Sequence, residues 1–247
     1  MRPLKATRRR SRMVHRELLK IDGKPVDVTV RLNPRARRLI VKVDPSTGEV
    51  TIVAPSQRAL DRAIEFARGE EAWIARRLAE VPKTVALAPG SRVPYLGREH
   101  VIREGREGPS PVWIEAGDVI RVAGRAEHAP RRLLDFFKRE AKRMLEARAR
   151  QFATRIDANP RKISVRDTAS RWGSCSIARS ISFSWRLVLA PAFVLDYVVA
   201  HEVAHLREMN HGPKFWRLVH VLVDDVKRPQ AWLRKNGVSL HRYAPRS

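Results

Sequence analysis

The spacing of apolar positions changes twice along the chain. From residue 15 to residue 53 they alternate, as in Val26, Val28, Val30 and Leu39, Val41, Val43. That is the period of strands with one buried face. HRELLKID and PVDVTVRL flank Gly23-Lys24, and RLIVKVD and EVTIVAP flank a turn at Pro45–Gly48, so two strand pairs are expected. The period then becomes helical. Leu60, Ile64, Ala67, Ile74, Leu78 and Val81 fit one stripe, which predicts a helix capped by Ser56, with Gly69 as its weak point. Strands return in YLGREHVIRE, PVWIE and DVIRVAG.

Residues 126–130 read as a junction, with Pro130 suited to the first turn of a helix. Leu133, Phe137, Ala141, Met144, Arg148, Phe152 and Ile156 then mark one long amphipathic helix. Its many basic side chains read as a solvated outer face. KISVRD, WGSCS and ISFSW read as short strands, and the last as a sheet edge open to strand addition by a peptide. A helix is expected from Pro191 to Met209, another in PKFWRLVHVLV and a short one over 230–235. No internal repeat is visible. The class is α+β, divided as a basic disordered tail at 1–14, a β-rich domain with one helix at 15–125 and a catalytic domain at 126–247.

Charge adds a second layer. The chain has 50 Lys and Arg against 26 Asp and Glu, a formal net charge of +24. Such a field attracts polyanions, so nucleic acid or a nucleotide is a partner to test beside a protein or peptide substrate. An arginine-rich solvated surface reads equally well, because arginine is spread along the whole chain. No stretch approaches the ~20 apolar residues of a membrane span, which argues against a membrane partner. The N-terminus lacks the apolar run of a secretory signal. The lone cysteine, Cys175, has no internal disulfide partner. Together these point to a cytoplasmic location.

HEVAH at 201–205 carries the chemistry. Histidines at i and i+4 share a helix face, so both imidazoles can address one metal. Glu202 follows the first ligand, where a carboxylate can take a proton from water at the metal. The surrounding helix is apolar almost all round, and buried polar side chains there need partners. Asn210 in left-handed conformation and Gly212-Pro213 would fold the chain back to offer His211 as third ligand. Glu208, two turns from His201, is the alternative. The histidine spacing is that of metzincins, but Glu208 stands where those have glycine. Three histidines favour zinc over magnesium. Arg171 and Tyr197 are candidate substrate-binding residues, and His241 and Tyr243 further candidates to stabilise developing negative charge. Cys175 reads as a small buried residue or a metal-blocking thiol. Trp172, Trp185, Phe215 and Trp216 read as core.

The segments RWGSCS, YVVAHEVAH and NHGPKFW, with RARRLIVKVDPSTGEVTIVAP upstream, resemble the YgjP-like metallopeptidase family, related to SprT-like zinc proteases. The resemblance spans residues 30–236. It implies a zincin-like core of minigluzincin type behind a β-rich N-terminal domain, His201, His205 and His211 as Zn2+ ligands and Glu202 as catalyst. One departure is Ser184, where the family has Asn before the strand's Trp. The expected activity is peptide-bond hydrolysis. A metal-dependent nucleotide phosphohydrolase and a basic DNA-binding protein with a structural zinc are the alternatives.

Overall fold

The computed structural model describes residues 14–243 except 107, 169 and 170. The expected basic tail lies outside the described residues but for Val14, which opens the first strand. The chain forms two compact units, divided between Pro82 and Lys83.

The first unit is one sheet and a helical layer. Strands β1 (Val14–Ile21), β2 (Lys24–Leu32), β3 (Ile40–Val43) and β4 (Val50–Ala54) lie in the order β1-β2-β4-β3. β2 and β4 run parallel, and the other neighbours antiparallel. The first turn takes positive φ at Asp22 and Gly23 (49° and 73°), which suits glycine and tolerates aspartate. Alternation does as expected: Val28, Val30, Val50 and Ile52 are fully buried, in one cluster with Ala63, Ala67 and Ile74. The helical stretch is two helices, α1 (Leu60–Gly69) and α2 (Glu71–Ala79). The break lies at Glu70, whose ψ of 13° leaves the helical range. Ser56 precedes the first helical turn in extended conformation, but its side chain makes no capping bond.

The second unit opens with the same arrangement. Strands β5 (Arg92–Tyr95), β6 (Arg98–Gly105), β7 (Val112–Glu115) and β8 (Val119–Ala123) lie in the order β5-β6-β8-β7, with β6 parallel to β8. YLGREHVIRE is thus a hairpin and not one strand, turning at Leu96 and Gly97 (φ 51° and 83°). Strand order, strand directions and the first turn repeat those of the first unit. The two sheets share topology but little side-chain identity, which is why no repeat is visible in the sequence. The positions that match are the turns, Gly23-Lys24 against Gly97-Arg98 and Gly48-Glu49-Val50 against Gly117-Asp118-Val119.

The second sheet does not close an N-terminal domain ending at residue 125. Val93, Ile102 and Ile120 share one buried cluster with Leu133 and Phe137 of α3 (Ala129–Arg155) and with Trp185. Its apolar face is covered by α3 and by Trp185, so the expected boundary at residue 125 falls inside the second unit. Tyr95 donates a 2.9 Å hydrogen bond to Glu140, tying this sheet to α3.

After α3 come β9 (Lys162–Arg166), β10 (Gly173–Cys175) and β11 (Ser180–Ser184), in the order β10-β11-β9. β11, the ISFSW strand, is paired on both sides, so it is not an open edge. The helices α4 (Ala192–Ala204), α5 (Pro213–Leu222) and α6 (Lys227–Asn236) complete the unit. Arg186 is fully buried. It meets both oxygens of Asp167 (2.9 and 3.1 Å) and the carbonyls of Leu240 and Tyr243, so its charge is neutralised and its donors are used. No helix among the described residues is long and apolar enough to cross a membrane.

Candidate metal centre

The centre is built where α4 stops. Val194, Val198, Val199, Val203 and Ala204 are buried, so α4 passes through the core as its composition requires. The helix ends at Ala204, five residues before Met209. His205 is the residue after it, and its ring Nδ1 lies 3.0 Å from the carbonyl oxygen of Glu208. A carbonyl only accepts, so Nδ1 carries the proton and Nε2 is left with its lone pair.

The chain then returns without a left-handed residue at Asn210. The Asn210 N–H instead donates to the Glu208 carboxylate (3.2 Å), and the Gly212 N–H donates to the Asn210 carbonyl (2.7 Å). This turn puts His211 beside the pair on the helix. His201 Nε2 and His211 Nε2 are 3.1 Å apart, and one ring nitrogen from each of His201, His205 and His211 lies within 4.8 Å of the others. Glu208 is absent from that cluster among the described residues, its carboxylate being held by the turn.

Phe215, fully buried on α5, supports all three imidazoles, with ring centroids 4.9, 4.6 and 4.7 Å from His201, His205 and His211. Burial, and next the charges of its histidine neighbours, pushes His201 down to about 4. His205 is lowered as well, again chiefly by burial. Both are therefore neutral at ordinary pH, which is the ligating form. Ring nitrogens of His201, His205 and His211 converging on one point form a donor set that suits a divalent cation of borderline softness.

Glu202 is 6% exposed, and burial pushes its carboxyl up to about 7 against the opposing pull of Arg171. Its neighbour is a residue that motif reading passed over. A Cβ on Gly173 would lie 2.5 Å from Glu202 Cγ and 2.7 Å from Oε1. Only glycine lets β10 come this close to the carboxyl, and a glycine inside a predicted strand was the available signal.

The other candidates are more dispersed. Arg171 is exposed, and its carbonyl accepts a 2.6 Å hydrogen bond from Thr168. Tyr197 is buried, its ring 6.1 Å from that of His201 and its hydroxyl bonded to Gln230 Nε2 (2.8 Å). His241 lies against Trp172 (5.2 Å), and Tyr243 bridges to Val85. Burial and then the charge of Glu202 push the half-buried Cys175 up to about 11, so it is a protonated thiol at neutral pH. The departure at Ser184 is accommodated in the core: the residue is fully buried, and its hydroxyl accepts the Arg186 N–H (3.4 Å). Trp185 and Phe215 are fully buried, whereas Trp172 and Trp216 pack from the rim of the same core.

Comparison with curated proteins and with solved structures gives no significant match. A family model does match, over residues 37–236: YgjP-like, metallopeptidase domain. That span holds β10, α4, the three histidines and the return loop, and by it the chain belongs to the YgjP-like family of metallopeptidases.

Proposed function

We propose that the protein is a zinc metallopeptidase in which His201, His205 and His211 hold the ion and Glu202 is the general base. The observation that carries this reading is the convergence of three imidazole nitrogens within 4.8 Å, next to a buried carboxyl. A zinc ion bound there would polarise a water molecule and the scissile carbonyl. Glu202 would accept a proton from the attacking water and return it to the leaving amine, a task for which a carboxyl poised near 7 is well matched. Arg171 biases Glu202 towards its charged form and faces incoming anionic groups. Tyr197, held by Gln230, steadies His201. β10 is an edge strand beside Glu202 and offers backbone groups to an extended substrate. The parent architecture is a zincin-like core of minigluzincin type with the first unit as its β-rich N-terminal addition. A cytoplasmic location fits the free thiol of Cys175.

Metal analysis of the purified protein, paired with hydrolysis of casein and of nucleoside triphosphates, tests the proposal. The expected result is about one zinc per chain and casein cleavage that falls at least about a thousandfold in Glu202→Gln while zinc is retained. Phosphate release without peptide cleavage would move the activity to nucleotide hydrolysis. Zinc bound with neither activity would leave a structural site.

A further inference from the structure

The outer face of the three-stranded sheet carries side chains that the metal centre does not use. Residues alternate across a strand, so Lys162, Ser164 and Arg166 of β9 share one face while Ile163 and Val165 pack on the core. The register sets Ser164 beside Ser182 of β11, and Ser182 beside Ser174 of β10. A row of three hydroxyls therefore crosses the whole sheet between two cations. With Arg171 these residues line an open trough of about 720 Å³, whose lining has no acidic and no aromatic residue. Lys162, Arg166 and Arg171 are exposed, and the adjacent Asp167 is engaged by Arg186. Ser182 Oγ is buried with no hydrogen-bond partner among the described residues, and such a hydroxyl calls for an acceptor. The trough reaches Gly173, the residue pressed against Glu202.

We infer that this trough seats acidic side chains of the polypeptide substrate, a specificity that rests on the metallopeptidase reading above. The cations of β9 lie two strand spacings, about 10 Å, from β10, so the substrate segment they meet is one that continues from the metal centre over the open face of the sheet. The Ser164 hydroxyl donates to the Ile181 carbonyl (3.3 Å), so a carboxylate there finds the unpartnered Ser182 hydroxyl and the cations of β9 and Arg171, and it is an acceptor only, as that lining requires. Single-stranded nucleic acid fits less well, because the lining has no aromatic platform for a base.

The test is binding, measured by fluorescence anisotropy on the full chain carrying Glu202→Gln so that cleavage does not interfere. The probes are a short labelled Glu-Ala peptide and its Gln-Ala counterpart. The acidic peptide is expected to bind about tenfold more tightly, since three screened charge contacts each contribute a factor of about two to three. The preference shrinks as salt is added. It disappears in Lys162→Glu/Arg166→Glu and is reduced in Lys162→Gln/Arg166→Gln, with unchanged circular dichroism and melting temperature showing that both variants fold. Equal affinity for the two peptides, or a preference that survives charge reversal, would overturn the inference. So would a labelled single-stranded oligonucleotide that binds more tightly than the acidic peptide and is lost on the same reversal. Acid preference without casein cleavage by the native chain would retain the trough and remove the peptidase reading, so the two failures are distinguishable.

Discussion

The two units begin with the same four-stranded topology and diverge after the last strand. In the first, β4 leads to 19 residues of helix interrupted at Glu70, and the layer ends at Pro82. In the second, β8 leads to α3, 27 residues long, with Leu133, Phe137, Ala141 and Leu145 fully buried along one side. The first helical layer buries little beyond Ala63, Ala67 and Ile74 and closes one small core. The second shares its buried cluster with Trp185, Val198 and Phe215, and so with the elements that carry the histidines. A repeated sheet is thus a scaffold only, and the element packed on it decides whether a site is built there.

The contrast can be broken most severely at β10. Gly173→Ala pushes a methyl group into Glu202, and a displacement of that size at the proposed general base is expected to cost about a hundredfold in peptide cleavage. Zinc content and melting temperature should stay near those of the parent. Unchanged turnover would mean that the contact with β10 does not position Glu202.

Matched core truncations probe the two units at intermediate size. Phe137→Ala should remove about 3–5 kcal/mol, and Ile74→Ala about 2–5 kcal/mol. Denaturant unfolding monitored together with activity reads both. The Phe137 variant should lose zinc and activity along with its stability. The Ile74 variant should unfold earlier in the first unit and keep its turnover within about twofold. If Ile74→Ala removed activity in step with stability, the functional division between the units would fail.

The smallest effect concerns the interruption itself. A Cβ on Gly69 meets nothing within 4 Å, and its φ is not positive. Gly69→Ala should therefore stabilise the first unit by about 0.5–1 kcal/mol, visible as a higher midpoint with unchanged activity. Destabilisation instead would show that the break between α1 and α2 requires glycine.

Much was legible in the sequence, for identifiable reasons. Strands and helices could be read from period, because Val28, Val30, Val50 and Ile52 on one side and Leu133, Phe137 and Ala141 on the other obey spacings that backbone geometry imposes locally. The family and the histidine candidates were legible because HEVAH and its flanking segments keep the three histidines and Glu202 at spacings set by one helix and one loop.

What sequence left open depended on contacts between distant segments. Whether Glu208 or His211 joins the pair turned on where α4 ends, and the Glu208 carbonyl at His205 Nδ1 accompanies that early stop. The strand order that buries ISFSW between two neighbours is set by pairing and not by composition. The shared topology of the two sheets was hidden because many sequences satisfy one alternation. The domain boundary moved because the apolar face of the second sheet had to be covered, and only the packed chain shows that α3 covers it. The approach of Gly173 to Glu202 joins residues nearly thirty positions apart, a distance that no local pattern encodes. The sequence by itself determined the strand and helix periods and the candidate ligand set, because both are local. Tertiary structure decided which of these residues meet, because burial and pairing are settled by the whole chain at once.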